Sequence, residues 1–178
     1  MIQQALPRHL SFIDLQRLRP DRYAMLLESV ADSKTLSRWD FLFVANGEGL
    51  VCDAANQTRN LSGDMVPGLF LDALDFKWKK TAKDGDGHGL PFRGGWALFL
   101  AYELAGQIES RLKLPVSGNP LPMALALRCP AALLRNKNTG EAFIVAEDGS
   151  EELLETVQRD IVQAEQAAAM ATLAKPAV

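Results

Sequence analysis

Strict alternation of apolar and polar positions predicts several β-strands. The clearest example covers 37–44, where one face is aromatic and the other begins with a charged pair before it turns apolar. The aromatic face consists of Trp39, Phe41 and Phe43, and the opposite face of Arg38, Asp40, Leu42 and Val44. Because aromatic residues at a spacing of two pack well in the core of a sheet, we expect the aromatic face to be the buried one.

Shorter apolar stretches predict the remaining strands. They lie at 24–29, 50–52, 96–102, 123–127, 131–134 and 141–146. Residues 96–102 are apolar on both faces, which predicts a central strand covered on both sides. Pro130 would interrupt a ladder at an edge or a bulge. The turn-forming residues 136–140 predict that the last two strands form a hairpin.

Apolar residues at helical spacing predict two helices, over 65–79 and 150–169. Pro67 fits the first turn of the earlier helix, and either Ser62 or Asp64 is available to cap it. Ser150 is the expected cap of the later helix. The sequence therefore predicts an α+β fold, a mostly antiparallel curved sheet or half of a sandwich with helices packed outside it. We place one domain at 1–168 and a tail at 169–178.

Composition supports a single globular domain. The chain has 178 residues, of which 48% are hydrophobic and 23% charged, with a formal net charge of −3. That charge argues against a nucleic-acid binder that relies on bulk electrostatics. Neither an apolar segment long enough to span a membrane nor a signal peptide is predicted, so we expect a cytoplasmic protein. Cys52 and Cys129 lie in apolar stretches and are expected to be buried thiols, with a disulfide between them as the less favoured alternative.

The chain has little material for catalysis. It contains only two histidines, His9 and His88, too few for a histidine-based metal site or triad. The loop 84–89 resembles the start of a calcium loop, but its twelfth position would be Gly95 rather than an acid. Gly94 and Gly95 lack the lysine of a phosphate loop and instead suggest either a close backbone approach or a strained entry into a buried strand. We predict no catalytic and no metal-binding residue here.

The charged pair at the start of the 37–44 strand allows two interpretations. Arg38 and Asp40 form either an exposed ion pair, which contributes little, or a polar recognition patch at the rim of a core. The sequence of this strand leaves both open.

An ordered set of short motifs resembles one domain of a known family. The segments are Leu26-Leu27-Glu28-Ser29, Ser37-Arg38-Trp39-Asp40, Leu90-Pro91-Phe92-Arg93-Gly94-Gly95, Tyr102-Glu103-Leu104 and Ile108-Glu109. In order and spacing they resemble the N-terminal domain of component I of the chorismate-amidating synthases, aminodeoxychorismate synthase and anthranilate synthase. The resemblance extends from about Tyr23 to Ala168. It implies the layered α/β/β/α fold of that family.

The resemblance also implies what the chain lacks. Family members continue into a chorismate-binding domain that holds Mg²⁺ and the catalytic residues, and the signatures of that domain are absent here. The expected partners are therefore the chain's own C-terminal chorismate-binding domain and a glutamine amidotransferase, component II. The form Ser37-Arg38-Trp39-Asp40 favours aminodeoxychorismate synthase, on the way to p-aminobenzoate and folate, with anthranilate synthase as the alternative.

The resemblance assigns a ligand pocket as well. The N-terminal domain of this family helps to bind tryptophan, and the matching positions are Glu28, Ser29, Arg38 and Asp40. An acid near the ammonium and donors near the carboxylate suit an amino-acid zwitterion. A stand-alone tryptophan-binding regulatory module and a purely structural domain are the other two hypotheses. As half of a larger fold, the chain is also expected to expose an apolar patch and to self-associate.

Overall fold

A computed structural model describes residues 1–28, 38–82, 89–112, 114, 115, 118 and 120–173. In chain order the elements are β1 (Ile2–Leu6), α1 (Phe12–Leu18), β2 (Tyr23–Leu27), β3 (Trp39–Val44), β4 (Gly49–Cys52), β5 (Thr58–Asn60), α2 (Phe70–Thr81), β6 (Gly95–Leu100), a 3₁₀ turn (Tyr102–Leu104), α3 (Ala105–Ile108), β7 (Ala124–Cys129), β8 (Ala131–Asn136), β9 (Ala142–Ala146) and α4 (Glu151–Leu173). The α+β class with antiparallel sheets and helices is confirmed.

The chain divides into two compact units, each built from more than one segment. Unit 1 comprises Met1–Asn46, Pro91–Gly94 and Cys129–Val178, and unit 2 comprises Gly47–Leu90 and Gly95–Arg128. Each unit has its own sheet, ordered β1-β9-β8-β3-β2 in unit 1 and β5-β4-β7-β6 in unit 2. The chain therefore passes between the units more than once.

The sheet of unit 1 is antiparallel throughout, with β8 and β3 near its centre. Its register aligns Leu42 with Leu133 and Val44 with Ala131, so these side chains lie on one face. Helices α1 and α4 pack on that face and contribute buried side chains to the same core. The helical contributors are Phe12, Leu15, Leu154, Val157 and Ile161. Burial of each large apolar side chain stabilises the fold by roughly 1.5–3 kcal/mol.

The prediction that the aromatic face of β3 packs in the core is wrong. The helix-covered core contains Leu42 and Val44 but none of the three aromatic residues, which are half-buried on the other face. There the rings contact each other: Phe41 stacks on Phe43 at 5.7 Å, and the Phe43 ring meets Phe92 edge-on at 5.0 Å. Alternation separates the two faces of a strand, but the packing of the helices decides which face they cover.

A buried carboxylate connects α4 to the start of β2. Asp160, only 5% exposed, accepts a hydrogen bond from the Tyr23 hydroxyl at 3.0 Å and forms an ion pair with Arg22. The Arg19 guanidinium lies 4.0 Å from the same carboxylate. Since Arg19 also ends α1, this cluster joins three elements of unit 1.

The sheet of unit 2 packs one face against α2. Leu50 pairs with Ala126 and Cys52 with Ala124, and these four side chains form a core with Phe70 and Ala73 of the helix. Cys52 and Cys129 are both buried and form no disulfide with each other, which confirms the prediction of buried thiols.

Helix α2 begins at Phe70, five residues later than predicted, and neither proposed cap is used. Ser62 and Asp64 instead close a turn on Asn60, whose side chain accepts a hydrogen bond from the Asp64 backbone N–H at 2.8 Å. Gly68 has a φ of 88°, a left-handed conformation that cannot continue into a right-handed helix. The local turn therefore replaces the first helical turn that the apolar spacing suggested.

The prediction of a central strand at 96–102 is also wrong. β6 is the edge strand of its sheet, and its last three side chains, Leu98, Phe99 and Leu100, are exposed. Tyr102 and Ile108 in the turns that follow are about 80% exposed. Unit 2 thus presents the kind of apolar surface that was expected, although self-association itself stays a prediction.

The structure explains the presence of Pro130 and Gly94 at the boundaries between segments. Pro130 separates β7 from β8, which belong to different sheets, so it interrupts no ladder. Gly94 has a φ of 109°, and a Cβ there would overlap the Glu147 side chain. This is the close backbone approach that the glycine pair predicts.

The ends of the chain add elements that the sequence did not reveal. β1 and α1 were not predicted, whereas α4 starts after Ser150 as expected and extends to Leu173. Within the described residues no helix combines the length and apolarity needed to cross a bilayer. The division at 168 stays a prediction.

Ionisation of Tyr23 should lower stability at high pH. Burial of the hydroxyl and the nearby Asp160 carboxylate raise its pKa far above the usual 10.0. In the unfolded chain the group ionises at its ordinary pKa, so the free energy of unfolding should fall by roughly 1.4 kcal/mol per pH unit above about pH 10. Urea unfolding of the wild type and Tyr23→Phe, from about pH 9 to about pH 11, measures this contribution as a difference in slope. Parallel pH profiles would contradict it.

Candidate functional site

Three of the four predicted ligand-binding residues lie at one end of the β2–β3 pair. The register aligns Leu27 with Phe41, so Glu28, which follows β2, and Arg38, which precedes β3, share that end of the sheet. Asp40 lies in β3 itself. Ser29 lies outside the described residues. The antiparallel pairing thus places residues from two separate motifs together.

Asp40 is a buried carboxylate, and one of its two oxygens has no hydrogen-bond partner among the described residues. It is 7% exposed, and its Oδ1 accepts no hydrogen bond from any described residue. It lies on the face of β3 that also carries Leu42, toward the helices. Removal of a carboxylate from water without a compensating donor costs free energy, so an unpaired one in a folded protein calls for an explanation. A bound ligand that supplies the donor is one such explanation.

Arg135 of β8 lies directly opposite Asp40 in the register of the sheet. Its guanidinium sits 4.4 Å above the Phe12 ring and donates to the Leu10 carbonyl oxygen, while its Nε has no hydrogen-bond partner among the described residues. The two side chains do not form a salt bridge, although they are neighbours on one face. Unit 1 therefore has an acid and a base side by side, each with unused hydrogen-bonding capacity.

Arg135 is not among the residues that the sequence predicts for the site. A signal was present, since this arginine interrupts the apolar segment Ala131-Ala132-Leu133-Leu134. Its importance depends on the pairing of β8 with β3, two strands far apart in the chain. Alternation within β8 alone cannot reveal that it faces Asp40.

Glu28 and Arg38 occupy more open positions. Both are exposed, and the Arg38 guanidinium lies 5.2 Å from the centre of the Trp39 ring. Arg38 makes no ion pair with Asp40, so the first interpretation of this pair, an exposed salt bridge, is wrong. The second interpretation, a recognition patch, stays a prediction. This end of the sheet thus carries both acidic and basic side chains, and charged groups of both signs suit a zwitterionic ligand.

The described residues offer no cluster of three His, Cys, Asp or Glu side chains that could hold a metal ion. His9 is exposed and lies 3.4 Å from Glu165 at the surface. His88 and most of the loop 84–89 lie outside the described residues. The expectation of Mg²⁺ in a chorismate-binding domain stays a prediction.

Comparisons with known proteins identify the fold. The sequence matches no family model and no curated protein. Among solved structures, the chain is similar to anthranilate synthase component I from Streptococcus pneumoniae TIGR4, with a TM-score of 0.55 and 17% sequence identity. The match covers 84% of this chain and 32% of that one, so the chain spans about a third of its length. The two proteins share a fold over that region.

Two buried carboxylates of unit 1 should respond differently to the same substitution. Asp160 interacts with Arg19, Arg22 and Tyr23, whereas Asp40 Oδ1 has no partner among the described residues. Asp160→Asn should therefore lower the free energy of unfolding by about 2 kcal/mol or more. Asp40→Asn should change it by less than about 1 kcal/mol or raise it, since an unpartnered charge leaves the interior. Urea denaturation of both variants measures the contrast. Equal losses would mean that Asp40 has a structural partner.

Proposed function

We propose that the chain is the N-terminal, non-catalytic part of component I of a chorismate-utilising synthase. The observation that carries this proposal is the shared fold with anthranilate synthase component I over 84% of the chain. The ordered motifs from Leu26 to Glu109 support it independently, because they derive from the sequence and not from the shape. A fold by itself does not define a function, so the two observations are needed together.

Of the two related reactions, we propose the one of aminodeoxychorismate synthase. This enzyme aminates chorismate at C4 to 4-amino-4-deoxychorismate, with ammonia from a glutamine amidotransferase, component II, toward p-aminobenzoate and folate. The supporting feature is the form of the segment Ser37-Arg38-Trp39-Asp40. The anthranilate synthase reaction of tryptophan biosynthesis is the second candidate, favoured by the fold comparison.

In this proposal the chemistry belongs to a chorismate-binding domain that binds Mg²⁺, and the present chain supports that domain. The exposed apolar side chains of Leu98, Phe99 and Leu100 on an edge strand favour such a role. An unpaired strand edge with apolar side chains accepts another strand readily, and a stable protein covers it. Neither a membrane nor a nucleic acid is part of the proposal.

The polar end of the β2–β3 pair is the proposed tryptophan site. Its residues are Glu28, Ser29, Arg38 and Asp40, joined by Arg135. The free Oδ1 of Asp40 suits the α-ammonium of an amino acid, and the unused donor of Arg135 suits the carboxylate. The ligand would supply the partners that these two buried groups lack.

The assignment is tested by expression of the complete reading frame from which this chain comes, including whatever follows Val178. With chorismate and an ammonium salt, the product should be 4-amino-4-deoxychorismate. A lyase that converts this product to p-aminobenzoate is then added, and p-aminobenzoate is detected. Anthranilate as the product would select the second candidate. Absence of both products, from a folded protein, would contradict the proposal.

Calorimetry with tryptophan tests the proposed ligand. The wild type should bind it, and Asp40→Ala should weaken binding at least about tenfold, because a charge-assisted hydrogen bond to the ammonium is lost. Arg135→Met should weaken it similarly through the carboxylate. Asp75→Ala, which removes an exposed carboxylate of α2, is the control and should bind as the wild type does. No heat from the wild type would eliminate the tryptophan site in this chain.

A further inference from the structure

Unit 2 contains a cavity that is separate from the proposed tryptophan site. Its volume is about 390 Å³, within the range of small-molecule sites. Glu28, Arg38 and Asp40 are not among its described lining residues. The cavity is formed by the loop after β4, the end of β6, the turns that follow it and the segment before β7. Sites of this size with a few polar groups among apolar walls are typical of ligand binding.

The walls are mainly apolar, and the cavity opens to solvent. Phe99, Leu121 and Met123 supply apolar surface, and the first two of these are exposed side chains. An apolar ring placed here would cover surface that water now contacts, which is favourable by roughly 25 cal/mol per Å². The walls therefore favour a ligand with a flat apolar body.

A hydrogen-bonded pair of amides holds one side of the cavity rigid. Gln107 donates from Nε2 to Asn56 Oδ1 at 2.5 Å and accepts the Leu71 backbone N–H at 3.2 Å. The Cys52 thiol also lies 3.6 Å from Asn56 Oδ1. Asn56 is the one described non-glycine residue with a positive φ, 61°. These contacts fix both amides in place before any ligand arrives, which lowers the entropic cost of binding.

Glu103 supplies the charge of the cavity. Its carboxylate is half-buried in the 3₁₀ turn, and among the described residues it forms neither an ion pair nor a side-chain hydrogen bond. No lysine, arginine or histidine is among the described lining residues. The carboxylate thus lies beside an apolar wall, with no balancing cation among the lining residues that the structure describes, and it favours a positively charged ligand.

We propose that this cavity binds a small aromatic amine, with its ammonium at Glu103 and its ring against Phe99 and Met123. An amino acid with the same ring would bind less well, because its carboxylate would approach Glu103 and the described lining residues include no cation to receive it. This preference separates the cavity from the proposed tryptophan site, where Asp40 and Arg135 suit a zwitterion. The proposal is independent of the chorismate assignment and also gives a role to the Tyr102-Glu103-Leu104 motif.

Three indole compounds that differ in charge test this proposal: tryptamine, tryptophan and the neutral alcohol indole-3-ethanol. In ¹⁵N–¹H NMR titrations of the chain, tryptamine should shift the amides of Phe99, Glu103, Gln107 and Met123 with a Kd on the order of 1 mM or tighter. Indole-3-ethanol should bind there at least about tenfold more weakly, because it lacks the charge that pairs with Glu103. Tryptophan should leave these four amides unshifted.

Two variants assign the effect to Glu103. Glu103→Gln should weaken tryptamine binding at least about tenfold, whereas Glu155→Gln, an exposed glutamate of α4, should leave it unchanged. Equal binding of tryptamine and indole-3-ethanol, or no saturable shift at these amides, would overturn the proposal. If Glu103→Gln does not fold, the three-ligand comparison on the wild type decides the question without it.

Discussion

The carboxylate of Asp160 is the interaction on which the arrangement of unit 1 depends. It lies inside the core, where a lone charge would be unfavourable, and it is stable there because Arg22, Tyr23 and Arg19 surround it. Those residues end α1 and begin β2, whereas Asp160 belongs to α4. A helix from the end of the chain is thereby held against an early strand, and the helix-facing side of the sheet is defined.

Once the helices cover that side, the position of Asp40 follows. Alternation along β3 places Asp40 on the same side as Leu42 and Val44, and antiparallel pairing places Arg135 beside it. The same core thus contains one carboxylate with its hydrogen bonds satisfied and one without. Incomplete hydrogen bonding at buried polar atoms, such as Asp40 Oδ1 and Arg135 Nε in unit 1, often marks a functional site. We interpret the Asp40–Arg135 pair in this way.

Unit 2 has a different balance of covered and open surface. Its core lies between α2 and one face of the sheet, while the edge strand β6 leaves large apolar side chains exposed. The same strand ends at the cavity that contains Glu103, so one short segment contributes to both surfaces. An apolar edge suits a protein partner, and a half-buried carboxylate in an open cavity suits a small cation. The two features can therefore serve separate purposes within one unit.

Local sequence determined which segments become strands and helices, because alternation, capping and turn residues act over a few positions. Four features were predictable in this way: the β3 strand, the β8–β9 hairpin, the start of α4 after Ser150 and the close backbone approach at Gly94. Four features were not predictable in this way: which face of β3 the helices cover, the edge position of β6, the late start of α2 and the register that places Arg135 opposite Asp40. The start of α2 depends on a local turn that competes with the helix. The other three features depend on contacts between residues far apart in the chain, so only the tertiary structure decided them.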